Sequence, residues 1–144
     1  MKKILTATHL TGESFDVATT TGQSLRVEGS SAGFEASGPG PMQLLLIGLA
    51  TCSAINVVDL LTKMRQPFTA FEIEVAGRRA ETPPRVWTDI ALHYRVWGAV
   101  DERRLARAIW LSETKICAAA AMLSKVADIT HTHEIVMSHH PAGE

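Results

Sequence analysis

The sequence predicts an α+β fold with elements in the order β-β-β-α-β-β-α-α-β. Three observations carry this. Short β-type runs broken by Thr-Gly turns fill residues 1–28. An apolar run within residues 41–65 has the length and content of one helix. A second pair of alternating strands then precedes two helix-capping residues, Asp101 and Ser112.

Residues 1–28 read as an antiparallel meander. "KKILTATH" runs into Thr11-Gly12-Glu13-Ser14, "SFDVATT" runs into Thr21-Gly22, and "QSLRVEG" sets Leu25 and Val27 against Arg26 and Glu28. Residues 29–40, rich in Gly, Ser and Pro, form a loop. Pro41 suits the first turn of a helix, where its missing N–H costs nothing. The helix, predicted over 41–65, is on the order of 35 Å long. Leu44, Leu45, Leu46, Ile47, Leu49, Ile55, Val57, Val58, Leu60 and Leu61 cover nearly all its faces. A helix without a polar face must be enclosed, and a chain of 144 residues has little material to do it. A second subunit is therefore expected over part of this helix.

Gln66-Pro67 ends it. A hairpin over 68–97 follows, with Phe71, Ile73 and Val75 opposed to Glu72 and Glu74, a turn at "ETPPR", and Ile90, Leu92, Tyr94 and Val96 on the apolar face of the partner strand. Asp101 N-caps a helix to about Leu111 with Leu105, Ala108 and Ile109 inward, and Ser112 caps a second helix, "ETKICAAAAMLSKVA". Two helices thus occupy 101–126, a last strand 128–137 and a polar tail 138–144. Residues 1–144 are read as one domain, with no internal repeat or low-complexity tract.

The chain is 46% hydrophobic and 20% charged, which supports a packed core rather than disorder. A formal net charge of −1 gives no reason to expect nucleic acid or an anionic membrane as partner. "MKKILTATHLTGESF" lacks the apolar core of a signal peptide, so the cytoplasm is the expected location. "PMQLLLIGLATCSAINVV" is interrupted by Gln43, Thr51, Ser53 and Asn56 and followed by Asp59, which favours an enclosed helix over a membrane span. His131 and His133 share one strand face and His139-His140 follow. A zinc site needs about four ligands at local spacings, and no C-x-x-C is present, so a metal site is not expected. Arg78, Arg79 and Arg85 read as a solvated hairpin tip, and Trp87, Trp97 and Trp110 as core or interface anchors. "GPG" lacks the Lys-Ser/Thr of a phosphate loop.

The two cysteines, Cys52 and Cys117, fall in separate predicted helices. Each can be read as a small buried hydrophobe, as half of a disulfide or as a nucleophile. Small neighbours (Gly48, Ala50, Thr51, Ser53 and Ala54; Ala118 to Ala121) allow close helix approach. A disulfide needs Cβ atoms roughly 3.5–4.5 Å apart. Cys117 lies in the first turns of its helix, where the partial positive charge favours a thiolate. Cys52 is about three turns into its own, so as a nucleophile it needs another group to lower its pKa.

"GPGPMQLLLIGLATCSAINVVDLLTK" resembles the central-helix signature of the OsmC/Ohr superfamily. "LSETKICAAAAMLSKVADITHTHEIV" resembles its second cysteine signature, and "RRAETPPRVWTDIALHYRVWG" the hairpin between them. The similarity extends over about residues 15–137 and is closest to the OsmC-like branch. The resemblance implies antiparallel sheets around a long buried central helix, in an intertwined homodimer with two equivalent interface sites. It also implies a thiol peroxidase with no metal or bound cofactor. Carried over, Cys52 is the peroxidatic cysteine, whose thiolate attacks the O–O bond of a small organic hydroperoxide to give a sulfenic acid. Cys117 is the resolving cysteine, and a small dithiol or a lipoylated protein reduces the resulting disulfide. Family peroxidases activate the thiolate with an Arg from the N-terminal β region, held by a Glu near the start of the central helix. Here no Arg precedes Arg26, and Met42 stands at the aligned Glu position with Gln43 beside it. Met42 and Gln43 are assigned to the substrate pocket on that alignment. Because the activating pair is missing, binding of a small apolar ligand or partner without turnover stands as a second expectation.

Overall fold

Two glycines shape the first sheet. Gly12 and Gly22 adopt φ of 53° and 95°, which a side chain resists, and turn the chain back between strands. They separate β1 (Leu5–Thr11), β2 (Ser14–Thr19) and β3 (Ser24–Glu28), which pair antiparallel in the order β1-β2-β3. A computed structural model describes residues 1–31 and 35–137, so the expected tail 138–144, with His139 and His140, lies outside the described residues. The chain divides into two compact units, 1–47 and 48–144, and the central helix α1 (Pro41–Lys63) begins in the first and continues into the second.

In the first unit Glu28 organises the chain ahead of α1. It is 4% exposed and accepts from Ser14 Oγ at 2.6 Å, from the Ser37 amide, and from the Gly38 amide at 3.1 Å. These donors, the Ser14 hydroxyl first, hold its carboxyl down to about 2 against an ordinary value near 4.5. A depressed folded-state pKa stabilises above the unfolded value and ceases to as pH falls toward the folded one. The first unit is therefore expected to loosen between about pH 4.5 and 2. Glu28→Gln should flatten that dependence, read as proteolysis of the 35–40 segment against pH.

Only one stripe of α1 is fully buried: Leu49, Ser53, Val57 and Leu61, each four residues from the last. Ile47 and Ile55 remain 46% and 67% exposed. The single chain thus buries one face of the helix and leaves the other open, as the shortage of enclosing material led one to expect. By length and composition α1 could cross a membrane. Ser53 on it nevertheless hydrogen-bonds to Tyr94 of the second sheet, which makes it the core helix of an α+β fold.

That sheet comprises β4 (Phe68–Arg79), β5 (Trp87–Gly98) and β6 (Asp128–Val136) in the order β4-β5-β6. β4 and β5 form the antiparallel hairpin, whereas β6 runs parallel to β5, so the sheet is mixed rather than antiparallel throughout. A parallel neighbour requires a crossover. It is supplied by α2 (Glu102–Leu111), a π turn (Ser112–Ile116) and α3 (Ala118–Leu123). Ile90, Leu92, Tyr94 and Val96 are buried, with exposures of 1% or less, and meet Leu105, Ala108 and Ile109 of α2 in the core of this unit. On the other face Arg95 bonds Glu134 at 2.7 Å and lies over the Trp97 ring, while Arg78 pairs with Asp89 at 2.9 Å. Trp110 is 49% exposed and Trp97 buried.

Asp101 caps α2 as expected, its carboxylate accepting the Arg104 N–H at 2.9 Å. The expected single helix after Ser112 is corrected. Ser112 does not cap it; its hydroxyl donates back to α1, and the backbone passes through an extended Cys117 (φ −70°, ψ 107°) before α3 starts. The π turn widens the chain by one residue at this point, a distortion frequent at functional sites.

Candidate active site

The break at Cys117 decides the site. Cys117 becomes the N-cap of α3, with its sulfur accepting the Ala120 N–H at 3.4 Å. From there the Cys117 thiol, with the Ala119 and Ala118 amides of the first turn of α3, acts on the Cys52 sulfur of α1 and lowers its pKa. The two sulfurs, remote in sequence, are therefore electrostatic neighbours as free thiols.

Their electrostatics are opposed. The Cys117 thiol, then the Ala119 amide, lower the Cys52 pKa against the smaller effect of its burial. Burial pushes the Cys117 thiol up, and the neighbouring Cys52 sulfur adds to it. The sequence expectation that the helix terminus favours a thiolate at Cys117 is thus reversed. The amides at that terminus serve Cys52, because Cys117 itself stands at the cap. Cys52 is half-buried and Cys117 2% exposed, so a reagent in solution reaches the better nucleophile first. Iodoacetamide near neutral pH is expected to alkylate Cys52 well before Cys117. Cys117→Ala should move the Cys52 alkylation profile to higher pH, read by peptide mass spectrometry.

Next to the sulfurs lies a polar group that pattern reading missed. Ser53 Oγ is 2.5 Å from the Tyr94 hydroxyl and 3.2 Å from Ser112 Oγ, and Tyr94 donates to Glu113 Oε1 at 2.8 Å. Glu113 Oε2 lies 2.7 Å from His131 Nδ1. Burial, above all, raises the Tyr94 pKa well past its ordinary value, so it stays a neutral donor. One signal was legible: Ser53 sits on the buried Leu49–Val57–Leu61 stripe, and a buried hydroxyl must find a partner. Which partner it finds was not legible, since Tyr94 and Ser112 belong to other elements.

Met42 and Gln43 belong to the first unit and the cysteines to the second. Met42 is half-buried. Gln43 is exposed, and its Oε1 accepts the Gly40 N–H at 2.8 Å, closing the first turn of α1 as a capping-box residue does. An apolar hollow in the first unit is lined by Leu5, Val17, Leu25, Val27 and Leu44, with neither Met42 nor Gln43 among its residues. His131 and His133 pair with Glu113 and Glu102, each at 2.7 Å, and no group of three metal-ligating side chains occurs among the described residues.

A family model described as OsmC-like protein matches residues 34–132, a span that includes both cysteines. This chain belongs to the OsmC-like family. The OsmC-like chain is also 41% identical over 99 residues to Protein YhfA of Escherichia coli K12, covering 68% of this chain and 74% of that one. Among solved structures, an OsmC-like protein from Mycoplasma pneumoniae superposes with a TM-score of 0.81 at 20% identity, covering 95% of this chain and 99% of the other. A protein from Legionella pneumophila described as organic hydroperoxide resistance protein OsmC, predicted redox protein, gives 0.71 at 17% identity, with 92% and 96% covered. At these identities the two structures establish the shared fold.

Proposed function

We propose that the protein is a two-cysteine thiol peroxidase that reduces small organic hydroperoxides in the cytoplasm, as a homodimer. The observation that carries this reading is the coupling of Cys52 and Cys117 with opposite pKa shifts. The Cys52 thiolate attacks the outer oxygen of the peroxide; the O–O bond breaks, an alcohol leaves and Cys52 carries a sulfenic acid. Cys117 supplies the thiol for the disulfide, and a dithiol, free or lipoyl, restores both sulfurs. The naming of a structural neighbour for organic hydroperoxide resistance supports the substrate class. No cation is among the groups that shift Cys52, so a thiol and two amides take the place of the activating Arg.

The dimer is supported by apolar surface that the single chain leaves open: Ile47 and Ile55 on α1, and Leu5, Leu10, Phe15 and Leu25 on the first sheet, each at least 38% exposed.

One equivalent of cumene hydroperoxide added to reduced protein tests the reading. Both thiols should disappear and the intact mass should fall by two hydrogens. Unchanged thiols under excess peroxide reject it and leave the second reading, a small apolar ligand bound without turnover.

A further inference from the structure

The chemistry proposed above uses two sulfurs, yet a larger buried polar assembly is built against them. Ser53 directly follows Cys52 on α1, and Ser112 carries the carbonyl that accepts the Cys117 N–H at 2.7 Å. Both serines are at 0% exposure, and they meet at 3.2 Å. Each sulfur-bearing segment thus has one buried hydroxyl, and the two hydroxyls touch.

The direction of the hydrogen bonds follows from counting hydrogens. A Glu113 carboxylate has none to give, so Tyr94 donates to it, at 2.8 Å. Tyr94 has then spent its hydrogen and accepts from Ser53 at 2.5 Å. Ser53 has spent its own, so Ser112 donates, to Ser53 Oγ at 3.2 Å or to the Ser53 carbonyl at 3.3 Å. Every hydroxyl points toward Glu113, whose other oxygen meets His131 Nδ1 at 2.7 Å. No buried side-chain nitrogen or oxygen among the described residues lacks a partner, so the chain is fully satisfied, the condition under which such a network rigidifies its surroundings. Alanine at both serine positions and phenylalanine at Tyr94 would fill similar volumes without the desolvation of three hydroxyls.

We propose that Tyr94 and Glu113 are positioning residues for the cysteine pair, holding the Cys117 turn against the Cys52 turn through Ser53 and Ser112. The catalytic consequence rests on the peroxidase reading; the geometric one does not. In the step concerned, Cys52–SOH and Cys117–SH give the disulfide and water. The S–O bond breaks, the S–S bond forms, and the thiol proton leaves with the hydroxyl. Fixing the two sulfurs as neighbours raises the rate of this step and the stability of its product, because the entropy of bringing them together is already spent. Attack of Cys52 on a hydroperoxide forms no bond to Cys117 and draws on the Cys117 turn only through the lowered Cys52 pKa, an effect that disappears at a pH where the thiol is ionised without help.

Tyr94→Phe removes one hydroxyl and keeps the ring that packs on Phe71, with centroids 6.1 Å apart. Glu113→Ala removes both oxygens, the one that accepts from Tyr94 and the one that meets His131, so the chain loses the acceptor that orients it. Two measurements on each full-length variant decide the matter. The first is the equilibrium in which both protein thiols and glutathione disulfide give the protein disulfide and two glutathiones. It should shift toward the thiols by about tenfold or more. The second is single turnover with cumene hydroperoxide. The sulfenic acid, trapped by dimedone, should persist about tenfold longer or more, with its rate of formation, compared at a pH above the alkylation midpoint of Cys52 in both proteins, within about threefold of wild type. Wild-type values in both, or an equal slowing of formation and resolution, overturns the proposal. If the wild-type protein consumes no hydroperoxide, the peroxidase reading fails and the glutathione equilibrium still decides this one. If Tyr94→Phe does not fold, Glu113→Ala decides it.

Discussion

On the peroxidase reading proposed above, Cys52→Ser should lower hydroperoxide consumption by roughly 10³-fold or more, the scale on which enzymes lose rate when their nucleophile is removed. Cys117→Ser leaves the first chemical step and removes the second. The asymmetry follows from the site. Cys52 is partly open to solvent, and its thiolate is favoured by the Cys117 thiol and the Ala119 and Ala118 amides. Cys117 is 2% exposed and is held as a thiol by burial. A hydroperoxide therefore meets the thiolate first, and the buried thiol meets only what Cys52 becomes. In Cys117→Ser the Ala119 and Ala118 amides still favour the thiolate, so the sulfenic acid forms but finds no sulfur. Intact mass after one equivalent of peroxide should show one added oxygen, trappable by dimedone, where wild type shows a disulfide. Consumption by Cys52→Ser equal to wild type would overturn the assignment of the nucleophile.

Leu61→Ala destabilises the protein by about 2–5 kcal/mol, the range for emptying a fully buried leucine site. Leu61 closes the stripe that begins at Leu49, and both are at 0% exposure, so the loss combines transfer free energy with a cavity the surrounding core fills only in part. Equilibrium urea unfolding reads the change as a lower midpoint. Ile55 lies on the same helix but is 67% exposed, and Ile55→Asp should leave the chain folded. Its effect should fall on association: a charge placed in the apolar face that a second copy covers in the proposed homodimer should convert that dimer to monomer in sedimentation velocity. A wild-type monomer at micromolar concentration, or an Ile55→Asp dimer of unchanged affinity, removes the second copy from the proposal.

Much of the fold was legible before any coordinates. Thr-Gly turns at Gly12 and Gly22, Pro41 at the head of α1, alternation through Ile90, Leu92, Tyr94 and Val96, and the Asp101 cap are local signals. Each depends on a few adjacent residues, and neighbouring residues are what a sequence displays. Their outcome in space is the α+β order of elements. The two cysteine signatures likewise pointed to the OsmC-like family. The parallel placement of β6 left no local mark, because pairing with β5 is set by the whole crossover and not by residues 128–136. Nor did the end of the helix at Cys117. Isoleucine, cysteine and alanines read as continuous helix, and what interrupts them is Ser112 turning to Ser53, a partner far away in the chain.

The sequence by itself therefore determined which residues carry sulfur, where the helices and strands begin, and which faces are apolar, since these follow from side-chain chemistry and short-range backbone preference. Tertiary structure alone set the opposite pKa shifts of the two thiols. A thiol's pKa depends on the donors and the solvent around it, and for Cys52 those donors arrive from Cys117, Ala118 and Ala119, on a segment that only folding brings near.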